Sequence, residues 1–151
     1  MKRLLFLIFL SLTFCNKFCI SSVSKVWLER ISWIAHEDAN DGIPIKVHLV
    51  YFYDDDYFKK FSDKTSKEYF EKFDEIVRDF SGKIELSEFD IVPGHSQDSI
   101  EVLPKKCNAK GALLFARYNT AEKSQKYIIG EDSEVRLVFR KDNIEIIEEK
   151  E

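Results

Sequence analysis

The stretch "IKVHLVYFY", residues 45–53, decides the fold. Its side chains alternate between two faces with the period of a β-strand. Apolar and aromatic residues occupy both faces, with Ile45, Val47, Leu49, Tyr51 and Tyr53 on one and Val50 and Phe52 on the other. A strand of this composition is covered on both sides. We therefore expect residues 45–53 to form a central strand that is buried on both faces.

A turn-forming segment precedes this strand. In "HEDANDGIP", residues 36–44, Asn40, Asp41 and Gly42 favour a turn, and Pro44 ends the loop. Further upstream, "VWLERISWIA", residues 26–35, alternates again and predicts a first strand. Its large apolar residues on one face are Trp27, Ile31 and Trp33. The loop therefore joins the first two strands of the fold.

Helical signals are confined to the segment after the central strand. Thr65 and Glu68 have the spacing of a capping box, and Gly82 marks the end of the pattern. The apolar residues between them recur at helical intervals and are Tyr69, Phe70, Phe73, Ile76, Val77 and Phe80. The preceding "DDDYFKKF", residues 54–61, predicts a shorter helix with its acidic residues at the start. We expect one short and one longer helix here.

The remainder of the chain has the composition of short strands separated by turns. The predicted strands are residues 83–90, 98–103, 111–118, 125–129, 134–140 and 143–147, and the segments between them are rich in turn formers. Many short strands joined by tight turns favour antiparallel pairing in a sandwich. The sequence thus predicts a mainly β protein: an antiparallel β-sandwich of about eight strands with a helical insertion between early strands.

The N-terminal segment has the layout of an export signal. Lys2 and Arg3 precede eleven uncharged residues, 4–14, and polar residues follow from Asn16 onward. Crossing a membrane as a helix takes about 20 apolar residues, so this run is too short to span. We interpret residues 1–14 as a signal peptide, residues 15–25 as a polar tether and residues 26–151 as a single domain.

Cys15 stands directly after the apolar run. The sequence Leu12-Thr13-Phe14-Cys15 is similar to the lipobox of bacterial lipoproteins, in which the cysteine receives a diacylglycerol and becomes the new N-terminus. Phe14 occupies the position where that pattern has Gly, Ala or Ser. We predict lipidation at Cys15. The alternative is ordinary signal cleavage near Ser21 or Ser22, which would remove both early cysteines.

Composition and spacing argue against several classes of function. The chain has 23 Lys and Arg against 27 Asp and Glu, and this net charge of −4 argues against nucleic-acid binding. The three histidines, His36, His48 and His95, have no paired ligand spacing, and Asp54–Asp56 lacks the spacing of a calcium loop. We therefore expect no metal and no cofactor, and we interpret the aspartates as a helix start.

Ser96 and Cys107 are the candidate nucleophiles of the chain. Ser96 follows His95 in "PGHSQD" but lacks the G-x-S-x-G context of a hydrolase, so a plain turn is expected there. Cys107 lies among lysines, which favour thiolate, but no base accompanies it. We interpret Cys107 as a small buried apolar residue. The sequence predicts no catalytic residue.

The order of these parts resembles a known family. The segment "AHEDANDGIPIKVHLVYFYDDDYFKKF", residues 35–61, resembles the opening of the type VI secretion outer-membrane lipoproteins, the TssJ (SciN) family. The matching positions are Ala35, Asn40, Gly42, Pro44, Val47, Val50–Phe52 and Phe58 or Phe61. A second segment, "LPKKCNAKGALLFARYN", residues 103–119, resembles the late strand of the family, which ends here in Ala116-Arg117-Tyr118.

This resemblance implies a transthyretin-like β-sandwich with added helices and a specific role. The expected protein is a lipoprotein on the periplasmic face of the outer membrane that recruits the periplasmic domain of a TssM-like inner-membrane protein. In the family, the loop between the first two strands supplies a main part of that contact. Carried over by position, the partner-binding residues are His36, Glu37, Asp38, Asn40, Asp41 and Gly42.

Two other classes of function remain open at this point. One is a soluble periplasmic transthyretin-like module that binds a small ligand after ordinary signal cleavage. The other is a periplasmic hydrolase that uses Ser96 or Cys107.

Overall fold

Two four-stranded sheets and three short helices make up the fold. A computed structural model describes residues 26, 28–106, 108–130 and 134–148. Within these residues the strands are β1 (Arg30–Ala35), β2 (Ile45–Phe52), β3 (Ile84–Ile91), β4 (Ser96–Glu101), β5 (Gly111–Arg117), β6 (Gln125–Ile129), β7 (Glu134–Phe139) and β8 (Ile144–Glu148), and the helices are α1 (Asp55–Ser62), α2 (Ser66–Glu71) and α3 (Phe73–Asp79). The predicted fold class, with eight strands and a helical insertion, is confirmed for this part of the chain.

The sheets have the orders β4-β1-β7-β8, called sheet A, and β3-β2-β5-β6, called sheet B. Most neighbouring strands are antiparallel, as predicted, but β1 and β7 run parallel, with Arg30 opposite Glu134 and Ala35 opposite Phe139. The predicted antiparallel sandwich is confirmed, and the β1–β7 pair is the parallel exception among the named strands. Parallel neighbours need a long connection, which the chain between β1 and β7 supplies. Local sequence carries no signal for such a pairing.

One hydrophobic core lies between the sheets and a second lies under the helices. Side chains of both sheets form the first core, including Ile31, Val47, Leu49, Tyr51, Leu114, Leu137 and Phe139. The second consists of Val50, Phe52, Phe61, Tyr69, Ile76, Leu113 and Phe115, where the helices cover the outer face of sheet B. β2 lies between β3 and β5 and contributes to both cores. The predicted two-sided burial of this strand is thus confirmed.

The helical insertion differs from its prediction in one respect. Thr65 and Glu68 form the predicted capping box at the start of α2. However, the longer helix expected up to Phe80 is broken at Lys72 into α2 and α3. Both halves contact His48, whose ring centre lies 4.8 Å from that of Phe70 in α2 and 4.6 Å from that of Phe73 in α3. Their other contacts differ, since Tyr69 of α2 stacks on Phe115 of β5 at 3.9 Å between ring centres, and the ring of Phe80, which follows α3, lies 5.4 Å from that of Phe61 in α1.

A glycine allows α1 to pack tightly on sheet B. A Cβ atom added at Gly111, the first residue of β5, would lie 2.3 Å from the ring of Phe58. The phenyl ring therefore occupies the space that any other residue at position 111 would need. This contact packs α1 against the first residue of β5, which lies opposite Phe52 at the end of β2.

The start of β4 differs slightly from its prediction. β4 begins two residues before the predicted start, at Ser96, directly after a turn in which Gly94 has a φ of 78°. None of the helices in the described residues is long and apolar enough to cross a membrane. The signal peptide 1–14, the tether 15–25 with Cys15, and also Trp27 and Cys107, lie outside the described residues.

Candidate functional site

Four loops meet at one end of the sandwich, and the loop predicted to bind a partner is among them. They are residues 36–44, 92–95, 118–124 and 140–143, and we call this region the loop end. Backbone hydrogen bonds join them: Ala35 donates to the carbonyl of His95 at 2.9 Å, and His36 donates to that of Phe139 at 3.0 Å. The first loop is thus anchored on both sides where it leaves β1.

Asn40 fixes the shape of this loop from within. Its side chain is only 1% exposed, and its backbone has a φ of 50°, a left-handed conformation that Asn tolerates better than most residues. Its Oδ1 accepts from the backbone N–H of Asn119 at 2.6 Å, and its Nδ2 donates to the carbonyl of Ile43 at 2.9 Å. The predicted binding residue Asn40 therefore lies inside the loop and positions its neighbours.

Asp41 connects the first loop to two others. Its carboxylate lies 2.9 Å from Nζ of Lys123 and 3.4 Å from Nζ of Lys141, and it accepts from Nδ2 of Asn119 at 3.0 Å. These donors, Lys123 first among them, lower the pKa of Asp41 to about 2. Asp41 stays ionised at neutral pH and links the loops through three charge-assisted contacts.

His36 is also engaged within the protein. Its Nε2 lies 3.0 Å from Nη1 of Arg140, and a guanidinium can only donate, so this ring nitrogen is the acceptor. The same guanidinium forms two hydrogen bonds with the carboxylate of Glu145, at 2.7 and 3.0 Å. Arg140 therefore joins His36 of the first loop to Glu145 of β8.

The residues that remain available form a small exposed surface, which we call the tip: Glu37, Asp38, Gly42, Ile43 and Val92. Ile43 and Val92 are 49% and 45% exposed. Because Ile45 lies opposite Ile91 in the β2–β3 pair, the chain carries both apolar residues to the same end of sheet B. The tip combines two carboxylates with two exposed aliphatic side chains.

Val92 was missed by sequence reasoning. It is a β-branched residue directly after β3 and before Pro93-Gly94, and the sequence pattern places it in the turn-forming segment that follows the predicted strand 83–90. Its exposure depends on the pairing of β3 with β2, which brings the turn beside the first loop. The register of the sheet, rather than a local motif, reveals this position.

The other candidate sites acquire structural roles. His95 Nδ1 lies 3.2 Å from the carbonyl of Pro93 within its own turn, and Ser96 begins β4 beside it. Asp54 caps α1 by accepting from the N–H groups of Asp56 and Tyr57, which confirms the interpretation of the aspartates as a helix start. Within the described residues no three His, Cys, Asp or Glu side chains are grouped as metal ligands would be.

Comparison with known proteins gives a likeness of fold. No protein-family model and no curated protein matches the sequence. Among solved structures, Lip of Serratia marcescens, a membrane-bound component of the type VI secretion system, superposes with a TM-score of 0.63 at 12% identity, covering 82% of this chain and 97% of Lip. The type VI secretion lipoprotein TssJ1 of Pseudomonas aeruginosa gives 0.60 at 18% identity, over 81% of this chain and 95% of TssJ1.

Proposed function

We propose that this chain is an outer-membrane lipoprotein of a type VI secretion system, of the TssJ (SciN) family. Lipid on Cys15 holds it on the periplasmic face, and its loop end recruits the periplasmic domain of a TssM-like inner-membrane protein. The observation that carries the proposal is the shared fold: a membrane-bound component and a lipoprotein of this secretion system match almost their whole length to this chain. The sequence resemblance at residues 35–61 and 103–119 points to the same family.

The direction of β1 supports the proposed arrangement. β1 enters the sandwich at Arg30 and leaves it at Ala35, and the loop end follows immediately. A strand of this length spans about 20 Å. The tether therefore joins the domain at the end opposite the tip. A tether of residues 15–25 reaches at most about 35–40 Å when extended. A lipid on Cys15 thus leaves the tip facing away from the membrane, toward a partner that crosses the periplasm.

The internal bonds of the first loop support its use as a binding surface. Asn40 and Asp41 are committed to Asn119 and Lys123, which hold the loop in one conformation. Ordering a loop at an interface costs binding free energy, and a loop that is already ordered avoids that cost. Glu37, Asp38, Gly42 and Ile43 are then the residues of the loop that contact the partner.

The mechanism is mechanical and needs no turnover. Each buried CH₂ of an acyl chain contributes about 0.8 kcal/mol to membrane retention, so several chains on one cysteine give lasting attachment. The sandwich transmits load between the tether and the tip. The protein thereby links the outer membrane to a partner anchored in the inner membrane.

Lipid attachment is tested by labelling with palmitate in an exporting bacterium. We expect label on the wild-type chain and on Cys19→Ala, and none on Cys15→Ala. Label on Cys15→Ala would place the lipid elsewhere. No label on any chain would overturn the anchor and favour the soluble periplasmic alternative.

Partner recruitment is tested by binding of the periplasmic domain of a TssM-like protein to the full lipoprotein in detergent. We expect the double variant Glu37→Lys/Asp38→Lys to reduce the affinity at least tenfold. The matched control is Asp74→Lys/Glu75→Lys, an adjacent exposed acidic pair on α3 away from the loop end. Equal affinities for wild type and the Glu37/Asp38 variant would refute the loop assignment.

A further inference from the structure

A groove on the outer face of sheet B begins beside the tip and has its own chemistry. Two adjoining clefts of about 220 and 310 Å³ lie between α2 and the β5–β6 loop, and a third of about 280 Å³ continues from the end of β5 to the first loop. Shared residues join the three clefts. We call this the cationic groove and define it by Lys46, Lys67, Phe70, Arg117, Asn119 and Ser124. One end of the groove is lined by Asn40, Ile43 and Pro44, so it is continuous with the first loop.

Arg117 is the central residue of the groove. It is exposed, its guanidinium lies 6.0 Å from the centre of the Phe70 ring, and no carboxylate of the described residues pairs with it. In the β2–β5 pair it lies opposite Lys46, whose ammonium is paired with Asp90 at 3.2 Å. Lys46 also lies 4.0 Å from Glu88, so two carboxylates offset its charge. Arg117 is therefore the cation of the groove that has no carboxylate beside it among the described residues.

The floor of the groove is held in place by packing. The ring of Phe70 lies 4.8 Å from that of His48 and 5.1 Å from that of Tyr69. Tyr69 in turn stacks on Phe115 of β5. An arginine over an aromatic face keeps its donor edge free. The groove therefore presents a guanidinium whose N–H donors are available to a ligand.

The charges of the groove limit the ligand to one or two carboxylates. Lys67 lies 4.0 Å from Glu71, which lines the same cleft, and Glu122 lines the far end. These acids would repel a polyanion such as nucleic acid, which needs clustered cations. Guanidinium groups match the geometry of a carboxylate through two parallel hydrogen bonds. The chemistry fits an Asp or Glu side chain within a polypeptide segment.

We propose that the cationic groove binds an acidic segment of the partner polypeptide, with a carboxylate on the Arg117 guanidinium. This inference rests on the proposed function, because the occupant is the part of the partner that continues from the tip. The partner then has two features: basic and apolar groups over Glu37, Asp38 and Ile43, and an acidic residue in the groove. The tip is acidic and the groove carries the guanidinium of Arg117, so these two contacts of opposite charge would fix the orientation in which the partner docks.

The test measures the affinity of the full lipoprotein for the periplasmic domain of the TssM-like partner. We expect Arg117→Gln to weaken binding at least tenfold and Arg117→Lys to weaken it less, because lysine keeps the charge without the fork. The control is Arg78→Gln, which alters an exposed arginine of α3 that pairs with its neighbour Asp79. Thermal unfolding of each variant shows whether the fold is intact.

The outcomes separate this inference from the proposed function. If Glu37→Lys/Asp38→Lys weakens binding and Arg117→Gln does not, the groove proposal is wrong and the proposed function stands. If the wild-type chain does not bind the partner domain, the proposed function fails. The groove is then judged with a capped Gly-Ser peptide that carries a single Glu. Saturable NMR shifts at Lys67 and Asn119 that Arg117→Gln removes support it, and their absence overturns it.

Discussion

The Nδ1 atom of His48 lies 3.0 Å from the hydroxyl of Tyr69, in a contact that joins the central strand of sheet B to α2. The histidine is 1% exposed, and its ring lies 4.6 Å from that of Phe73. Its Nε2 has no hydrogen-bond partner among the described residues and lies 3.6 Å from a carboxylate oxygen of Glu88. Burial, with a smaller contribution from Lys46, lowers the pKa of His48 to about 4.

Stability should therefore fall in mild acid. In the unfolded chain His48 has an ordinary pKa near 6.5, so between pH 6.5 and 4 the unfolded state binds the extra proton. The free energy of unfolding is then highest above about pH 6.5, and it declines toward pH 4 by an amount on the order of 3 kcal/mol. Denaturant titrations across this range measure the slope.

The variant His48→Phe tests the assignment of that slope. Phenylalanine fits an aromatic site and does not titrate, so its stability should change less between pH 6.5 and 4. Replacement of the exposed His95 by the same residue serves as the control and should leave the slope unchanged. If the free energy of unfolding of His48→Phe falls with pH as steeply as that of the wild type, another group causes the acid sensitivity.

Removing the Tyr69 hydroxyl should destabilise the protein. In Tyr69→Phe the Nδ1 atom of His48 loses its hydrogen-bond partner, so that neither ring nitrogen has one among the described residues, and an unsatisfied buried polar group costs about 1–3 kcal/mol. Tyr57→Phe is the matched change at the surface, where the hydroxyl meets only Lys83 at 3.0 Å, and it should cost much less. Urea unfolding compares the two, and equal losses would contradict a special role for Tyr69.

Gly111→Ala should disturb the packing of α1 on sheet B and lower the free energy of unfolding. The added methyl group would lie 2.3 Å from the Phe58 ring, and overpacking of this kind costs about 1–3 kcal/mol. The cost should shrink when Phe58 is first replaced by Leu, because the branched side chain can withdraw. A double-mutant cycle by thermal unfolding measures this coupling. Additive effects would show that the ring does not set the limit.

Two substitutions separate the roles of Asn40. Asn40→Gly keeps the left-handed backbone at little strain but leaves the N–H of Asn119 without its acceptor, so we expect a loss of about 1–2 kcal/mol. Asn40→Ala adds the strain of a Cβ at positive φ, about 1 kcal/mol more. Thermal unfolding gives the order, and an alanine variant as stable as the glycine variant would refute the strain.

How much of this could be read from the sequence depends on the range of the interactions involved. The two-sided burial of β2 and the capping box at Thr65 follow from local patterns, and both are confirmed. The break at Lys72 and the parallel pairing of β1 with β7 arise from contacts between distant segments, which alternation and propensity do not encode. Lipidation of Cys15 stays a prediction, because it lies outside the described residues.

The candidate site shows the same division. Composition marked residues 36–44 as a loop but could not separate the buried Asn40 from the exposed Glu37 and Asp38. That distinction depends on Asn119, which lies far away in sequence and reaches the loop only through the sheet. For the same reason, no local pattern indicated the groove around Arg117. The contact of the loop with a partner stays a prediction.

The position of β1 between β4 and β7 also orders the folding of the chain in time. All four strands of sheet B lie between residues 45 and 129, so that sheet can assemble while the chain is still emerging. Sheet A cannot be completed until β7 arrives, and pairings between such distant segments form slowly. β1 can pair early with β4 but gains its second neighbour only when β7 arrives, so the segment nearest the proposed lipid is completed late although it appears first.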